Sequence, residues 1–243
     1  MANIQLQKLI RSEHASYVLI FILVLVGASI ALPSSFLSIY NIRSMMFQVP
    51  EFGILTFGMI LAILVGGIDL SIIANANLSG IIAAVVMHRY LAAVQTPSNV
   101  MIMLIVTATA MATGLALGLF NGLIITRFSV PPILVTLGSM KLFDGISTVI
   151  TNGQPIRNFP DVVAVLSNDV VFGIPISFLL FLVIFVLYFI LVERTRLGMS
   201  LYLLGENPIA TRYSGLKNEA ILMKVFLLSG LFAGMAGVVM LSR

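Results

Sequence analysis

Long apolar stretches separated by short polar segments run along almost the whole chain. A helix needs about 20 mostly apolar residues to cross the hydrocarbon core of a bilayer. The pattern therefore predicts an all-α, polytopic membrane protein with about seven transmembrane helices, forming one transmembrane domain over residues 1–243. The predicted spans are residues 17–32, 52–68, 70–87, 100–126, 131–150, 170–192 and 225–242.

The second and third spans meet without room for an ordinary loop. Gly66 and Gly67 lie at the join, followed by Asp69 and Ser71. Non-helical backbone at membrane depth is tolerated only where protein or a water-filled cavity covers it. We therefore expect a helix break here. Asp69 or Ser71 is expected to cap the third span and shape the break, with contact between Asp69 and a solute as the alternative.

Two asparagines and a lysine–aspartate pair within predicted spans are candidates for the pathway. Asn75 and Asn77 are two residues apart, so they face about 200° apart on a helix and cannot both line one pathway. Either one could contact a passing hydroxyl group or join helices. Lys141 and Asp144 are three residues apart on the fifth span. This spacing allows them to pair with each other, and the alternative is that they line a polar cavity.

Glycines recur at intervals of four in two spans. Gly114, Gly118 and Gly122 share one face of the fourth span, and Gly230 and Gly234 share a face of the seventh. Such spacing allows helices to approach closely. The sequence leaves open whether the resulting seam is static or moves.

Charge is concentrated in residues 193–224, which hold eight of the 22 formal charges. This segment must lie in water, because each charge carried into hydrocarbon costs about 2.5–3.5 kcal/mol on insertion scales. Within it, Asn207 can cap a helix that starts at Pro208, and Ser214 with Gly215 can end it. We therefore predict a short surface helix over residues 208–213.

The distribution of lysine and arginine orients the chain. With the N-terminus in the cytoplasm, eight cationic residues fall inside, four fall outside and Lys141 lies within a span. The positive-inside rule favours this orientation and places residues 193–224 in the cytoplasm. Orientation in the membrane thus explains the excess of basic residues, and nucleic-acid binding is not needed to explain it.

Composition limits the chemistry. Hydrophobic residues make up 60% of the chain and charged residues 9%, against about 25% charged in soluble domains. The chain has no cysteine and two distant histidines, His14 and His88. It also lacks a glycine-rich lysine loop for phosphates. These features predict no catalytic site, no metal and no cofactor bound by this chain.

Six short motifs occur in order from about residue 41 to the end, and together they carry a family resemblance. They are GIDLS (67–71), VTLG (135–138), ITNG (150–153), TRLG (195–198), LGENPIATRYSGL (204–216) and LSGLFAGMAG (228–237). Each motif alone is weak, but in this order and spacing the chain resembles the membrane permeases of bacterial ABC importers of the ribose/xylose/autoinducer-2 class.

The resemblance implies a place in the bacterial cytoplasmic membrane, embedded in the lipid bilayer, and translocation of a small sugar or sugar-like solute. It also implies three kinds of protein partner: a cytoplasmic ABC ATPase that uses ATP, a second permease copy or homologue, and a periplasmic or lipid-anchored sugar-binding protein. Residues 205–216 match the family's coupling segment, whose short helix seats on the ATPase, so residues 193–224 are expected to form a cytoplasmic coupling segment. The implied coupling residues are Gly205, Glu206, Asn207, Ala210, Arg212, Ser214 and Gly215.

Three departures leave alternatives open. The bulky Ile73 follows the break where the family usually has small residues, and Lys141 with Asp144 is not a general family feature. Family members also continue beyond the end of this chain, so we expect a C-terminally truncated permease. The alternatives are an ion-coupled secondary transporter, which predicts acidic residues at mid-span, and a non-transporting truncated remnant.

Overall fold

The computed structural model describes residues 13–243, so the predicted cytoplasmic residues Lys8 and Arg11 lie outside the described part. The helices of that part are α1 (Glu13–Ala31), α2 (Ile39–Leu64), α3 (Ile72–Ala93), α4 (Asn99–Phe128), α5 (Pro132–Thr151), α6 (Asp161–Asn168), α7 (Ile176–Arg194), α8 (Arg196–Glu206), α9 (Pro208–Tyr213) and α10 (Asn218–Leu241). Two short strands, β1 (Val170–Val171) and β2 (Ile174–Pro175), form an antiparallel hairpin.

Six of these helices are long and apolar enough to cross a membrane, namely α2, α3, α4, α5, α7 and α10. A shorter apolar helix covers Ser16–Ala31. The prediction of an all-α, polytopic membrane protein is therefore confirmed, and the predicted count of about seven spans is close.

The chain divides into two compact units, Met1–Met46 and Phe47–Arg243. In the first unit, most large apolar side chains of α1 are exposed, as suits contact with lipid. The turn after α1 is fixed by Asn41, whose amide Nδ2 donates to the carbonyl of Phe36 at 2.7 Å.

Several predicted boundaries were wrong. The second span begins at Ile39 rather than residue 52, because α2 continues through Pro50. The sixth span begins at Ile176 rather than residue 170, because the hairpin of β1 and β2 precedes it. The expected polar connection before it contains the short helix α6.

In the second unit, α10 packs between α3 and α4. A Cβ added at Gly114 would collide with the carbonyl of Gly230 and lie 2.7 Å from the nitrogen of Gly234. On the α3 side, a Cβ at Gly80 would lie 3.0 Å from the carbonyl oxygen of Gly237. The spacing of the glycines thus correctly predicted a close helix seam.

Stacked aromatic rings join α2 and α7 to α10. The ring of Phe57 lies 5.6 Å from that of Phe181 and 4.6 Å from that of Tyr188, measured between centroids. Phe232 of α10 packs edge-on against Phe57 at 6.1 Å. Offset and edge-on geometries of this kind are favourable for aromatic pairs.

Candidate translocation and coupling sites

A seven-residue break, residues 65–71, separates α2 from α3. Gly66 has a φ of +78°, a conformation that glycine adopts without steric cost. The amide of Gly67 donates to the carbonyl of Ala62 at 2.9 Å, and the site of its missing Cβ faces Pro132 of α5 at 3.1 Å. The predicted helix break is therefore an ordered turn packed against α5, with Asp69 and Ser71 buried and Gly66 and Ile68 exposed.

Asp69 is 3% exposed, and both of its carboxylate oxygens accept hydrogen bonds. One oxygen accepts from the amide and hydroxyl of Ser71 at 3.0 and 2.7 Å. The other accepts from the hydroxyl of Ser229 at 2.6 Å. Asn121 donates to the hydroxyl oxygen of Ser71 at 2.8 Å. The carboxylate therefore shapes the break, but the expected cap of α3 is not formed, because Ser71 at the N-cap makes no side-chain capping hydrogen bond and Asp69 accepts only from the amide of Ser71 itself.

The backbone of the break is held by α5. Thr136 is fully buried. Its hydroxyl donates to the carbonyl of Ile68 at 3.0 Å and accepts from the amide of Leu70 at 3.2 Å. The partner of Asp69 on α10, Ser229, lies five residues after Lys224, or about 8 Å at 1.5 Å per residue. The network therefore lies near the end of α10 that adjoins the charged segment, and it is buried, so unpartnered polar groups there would be costly.

The two asparagines of α3 face different surroundings, as their spacing predicted. Asn75 is 2% exposed. Its amide donates to the carbonyl of Gly114 at 3.3 Å and its oxygen accepts from the hydroxyl of Ser79 at 3.1 Å. Asn77 is exposed and lines a cavity. Asn75 thus joins α3 to α4, whereas Asn77 is accessible to a solute.

The cavity has a volume of about 810 Å³ and is bounded by α3, α5, the segment after α5 and the end of α10. Asp144 lines it, whereas Lys141 does not. Within the described residues, the one salt bridge joins Arg243 to Glu51 at 2.7 Å. The expected pair of Lys141 with Asp144 is therefore not formed. Spacing on a helix permits such a pair but contributes only about 0.2–0.5 kcal/mol, too little to fix two exposed side chains.

The short helix of the charged segment coincides with the predicted one. The side chain of Asn207 accepts from the amides of Ile209 and Ala210, both at 3.0 Å. The helix ends at Tyr213, and Gly215 follows with a φ of +83°. Local capping chemistry thus defines α9 at both ends.

One face of α9 is anchored and the other is open. The hydroxyl of Thr211, a buried residue, donates to the carbonyl of Leu203 at 2.7 Å. Asn218 donates to the carbonyl of Pro208 at 2.9 Å. Ile209 and Tyr213 are 69% and 90% exposed. The predicted coupling residues Glu206, Asn207, Ala210, Arg212, Ser214 and Gly215 are also exposed.

Sequence reasoning missed Ile209 and Tyr213 as exposed apolar side chains. The signal was available, because they lie four residues apart and so share a helix face.

Gly205, the remaining predicted coupling residue, packs the charged segment against the end of α2, beside the break. A Cβ at Gly205 would collide with the carbonyl of Leu64, the last residue of α2. Nearby, the hydroxyl of Tyr202 on α8 donates to the Glu193 carboxylate at 3.1 Å. This hydrogen bond, with smaller contributions from burial and the carboxylate charge, raises the pKa of Tyr202.

These features define a class of protein: a multi-pass membrane protein with an ordered helix break and a capped surface helix, joined by α8, which packs against the end of α2 beside the break. The chain belongs to the family described as "Branched-chain amino acid transport system / permease component", whose model matches residues 41–243. It is a permease of the cytoplasmic membrane.

Three curated relatives illustrate the similarity. The chain is 33% identical to the D-allose transport system permease protein of Escherichia coli (strain K12), over 95% of this chain and 68% of that protein. It is 31% identical to the ribose import permease protein of the same strain, over 93% of this chain and 68% of that protein. It is 30% identical to the autoinducer 2 import system permease protein of Enterobacter sp. (strain 638), over 83% of this chain and 62% of that protein. No solved structure gives a significant match.

Proposed function

We propose that this chain is the membrane-spanning subunit of an ABC importer, and that it translocates a small sugar or sugar-like solute using ATP hydrolysed by a separate cytoplasmic ATPase. The observation that carries the proposal is α9, a capped helix with an open face, because the helix before it, α8, touches the end of α2 beside the break through Gly205 and Leu64. A second permease copy or homologue and a sugar-binding protein outside the membrane complete the proposed complex.

The solute class follows from the relatives and from the cavity. The relatives named above are permeases for allose, ribose and autoinducer 2. An amino acid would need both a cation and an anion for its two charged groups. Asp144 and Arg243 both border the cavity, but Nη1 of Arg243 already donates to Glu51, so the cation is only partly available to a solute. This partial engagement favours a neutral solute.

The proposed coupling route is a chain of contacts. Movement of the ATPase displaces α9, and α8 transmits the displacement to the end of α2 because Gly205 packs directly on the carbonyl of Leu64. The break then carries it to α10 through the hydrogen bond from Ser229 to Asp69. Packed elements of this kind shift as rigid bodies between discrete arrangements.

The proposal is tested by pulling down the tagged chain from detergent extracts of cells that express it with its ATPase. The native chain is compared with one in which residues 205–216 are replaced by a glycine/serine linker. A finer variant, Ile209→Asp with Tyr213→Asp, changes only the open face of α9. We expect the ATPase to be recovered with the native chain and with neither variant.

A matched control is Val149→Asp, which changes an apolar residue that is 77% exposed on α5, away from α9. This variant is examined only if it reaches the membrane in normal amounts, and it should retain the ATPase. Equal recovery of the ATPase with the linker variant would contradict the proposal. So would solute uptake that requires an ion gradient and no ATPase.

A further inference from the structure

The cavity lies at the opposite end of α10 from the coupling segment. Met240, Leu241 and Arg243 border it, whereas α9 lies just before the first residue of α10, Asn218. In the orientation that the charges favour, this end faces outside. The cavity is thus where a solute delivered from outside would first meet the chain.

One face of α5 supplies most of the polar groups in this cavity. Asp144, Ser147, Thr148 and Thr151 follow the spacing of three, four and seven residues that keeps side chains on one helix face. Asn77 faces them from α3. We call these five residues the α5–Asn77 cluster.

The hydrogen-bonding state of the cluster shows what it can still bind. The hydroxyls of Thr148 and Thr151 donate to the carbonyls of Asp144 and Ser147, both at 2.9 Å, so their oxygens keep free acceptor sites. Ser147 is only 5% exposed, and its hydroxyl has no hydrogen-bond partner within the described part of the chain. A buried polar atom without a hydrogen-bond partner is rare, so we expect a bound solute to supply the partner of the Ser147 hydroxyl.

The charge of the cluster further restricts the class of solute that it can bind. Asp144 is the carboxylate among the cavity residues, and the guanidinium of Arg243 is engaged by Glu51. The cluster itself therefore carries one negative charge and several acceptors, with free donors at Ser147 and Asn77, while Arg243 at the end of α10 adds a cation to the same cavity. Such a surface matches a neutral solute that carries several O–H donors and disfavours a carboxylate or phosphate.

We propose that the α5–Asn77 cluster is an outward-facing binding site for neutral polyhydroxylated solutes, in which Asp144 selects against anions and Ser147 supplies a direct hydrogen bond. This proposal rests on the proposed function only for the class of solute, because binding of a solute to the α5–Asn77 cluster needs no ATPase.

The test uses cysteine labelling, since the natural chain contains no cysteine. Thr148→Cys reports on the cavity, and its neighbour Val149→Cys, which is 77% exposed but does not line the cavity, is the matched control. Charged thiol reagents that cannot cross membranes are added to right-side-out vesicles. We expect labelling of Thr148→Cys to be at least about tenfold faster, because thiolates form poorly in apolar surroundings.

Two comparisons test charge and ligand. A cationic reagent should label Thr148→Cys about fivefold faster than an anionic one, and adding Asp144→Asn should remove the difference. D-Allose and D-ribose should slow labelling, whereas D-ribonate and osmotically matched glycine betaine should not. Adding Ser147→Ala should raise the sugar concentration needed for half-protection about three- to tenfold, the effect of one neutral hydrogen bond.

Equal labelling of the two cysteine variants would overturn the proposal, as would an absence of protection by both sugars. Protection that is unchanged by Ser147→Ala would overturn the role of that hydroxyl. These results are independent of ATPase capture. Protection by sugars in a chain that never recovers an ATPase would uphold the site and reject the proposed function.

Discussion

Two aspartates in the membrane-spanning part of the chain have opposite surroundings. Asp69 is 3% exposed and receives three hydrogen bonds from Ser71 and Ser229. Asp144 is exposed, and its carboxylate has no hydrogen bond within the described residues. The comparison teaches that an acidic residue among apolar ones does not define its own role. A carboxylate whose oxygens are satisfied holds structure, whereas one facing a cavity is available to a ligand.

The surroundings of the two aspartates extend the contrast. Near Asp69, glycines let α4 and α10 pack backbone against backbone, and 12 of the 24 residues of α10 are buried. Near Asp144, only five of the 20 residues of α5 are buried, and two of its glycines have open space beside them. The first region suits transmission of force, and the second suits access by a solute.

The largest effect is expected from truncating the buried carboxylate. Asp69→Ala leaves the amide and hydroxyl of Ser71 and the hydroxyl of Ser229 without their acceptor. Each unsatisfied buried group costs about 1–3 kcal/mol, so we expect a loss of about 3 kcal/mol in the free energy of unfolding. The measurement is the thermal unfolding midpoint and monodisperse yield in detergent.

The matched variant is Asp144→Ala, which removes a carboxylate of the same kind from a site with no hydrogen bond to lose. Its unfolding midpoint should stay near that of the native chain. Comparable destabilisation by the two substitutions would contradict the contrast.

The next largest effect concerns the glycines. Gly114→Ala places a methyl group against the backbone of α10, and overpacking of this kind costs about 1–3 kcal/mol. Gly145→Ala on α5 meets nothing within 4 Å and should gain up to about 1 kcal/mol from helix propensity. Unfolding of both variants in detergent gives the comparison, and a destabilised Gly145→Ala would show that α5 is packed more closely than described.

A smaller effect is expected at the cap of α9. Asn207→Ala removes the acceptor of two amide hydrogen bonds, which costs about 1 kcal/mol. Because α9 is a surface helix, the loss should appear as faster amide hydrogen exchange in residues 208–213 rather than as a lower unfolding midpoint. Asn207→Asp keeps the acceptor and should restore protection. Native exchange rates in Asn207→Ala would show that the cap is dispensable.

The smallest effect is a titration on α8. The hydrogen bond to Glu193 raises the pKa of Tyr202, so the neutral phenol is favoured in the folded chain. Its contribution to stability is present below the ordinary tyrosine pKa and is lost as the pH rises through the raised one. Glu193→Gln should shift the Tyr202 titration to lower pH, measured as the ultraviolet difference between each protein and its Tyr202→Phe version. An unchanged titration would contradict the assigned cause.

Features set by local chemistry could be predicted from the sequence. The bounds of α9 follow from Asn207, Pro208 and Gly215, which act on their own neighbours. The break follows from Gly66 and Gly67, and the helix seam follows from glycine spacing. Each signal lies within a few residues of the structure that it determines.

Features set by distant partners could not be predicted. Ser229 meets Asp69 across 160 positions of sequence, and nothing near either residue indicates the other. The continuation of α2 through Pro50 also went against local preference, because proline disfavours a helix interior. Lys141 and Asp144 had the spacing to pair, but their orientations depend on the cavity that α3, α5 and α10 create together.

The measurement that tests the account most directly is solute-stimulated ATP hydrolysis by the assembled importer carrying Gly205→Ala. This substitution presses α8 against the carbonyl of Leu64 and leaves the open face of α9 unchanged. The account predicts that the ATPase is still captured in normal amounts while stimulation by solute is lost. Normal stimulation in a normally assembled Gly205→Ala complex would contradict transmission of movement from α9 to the break through this contact.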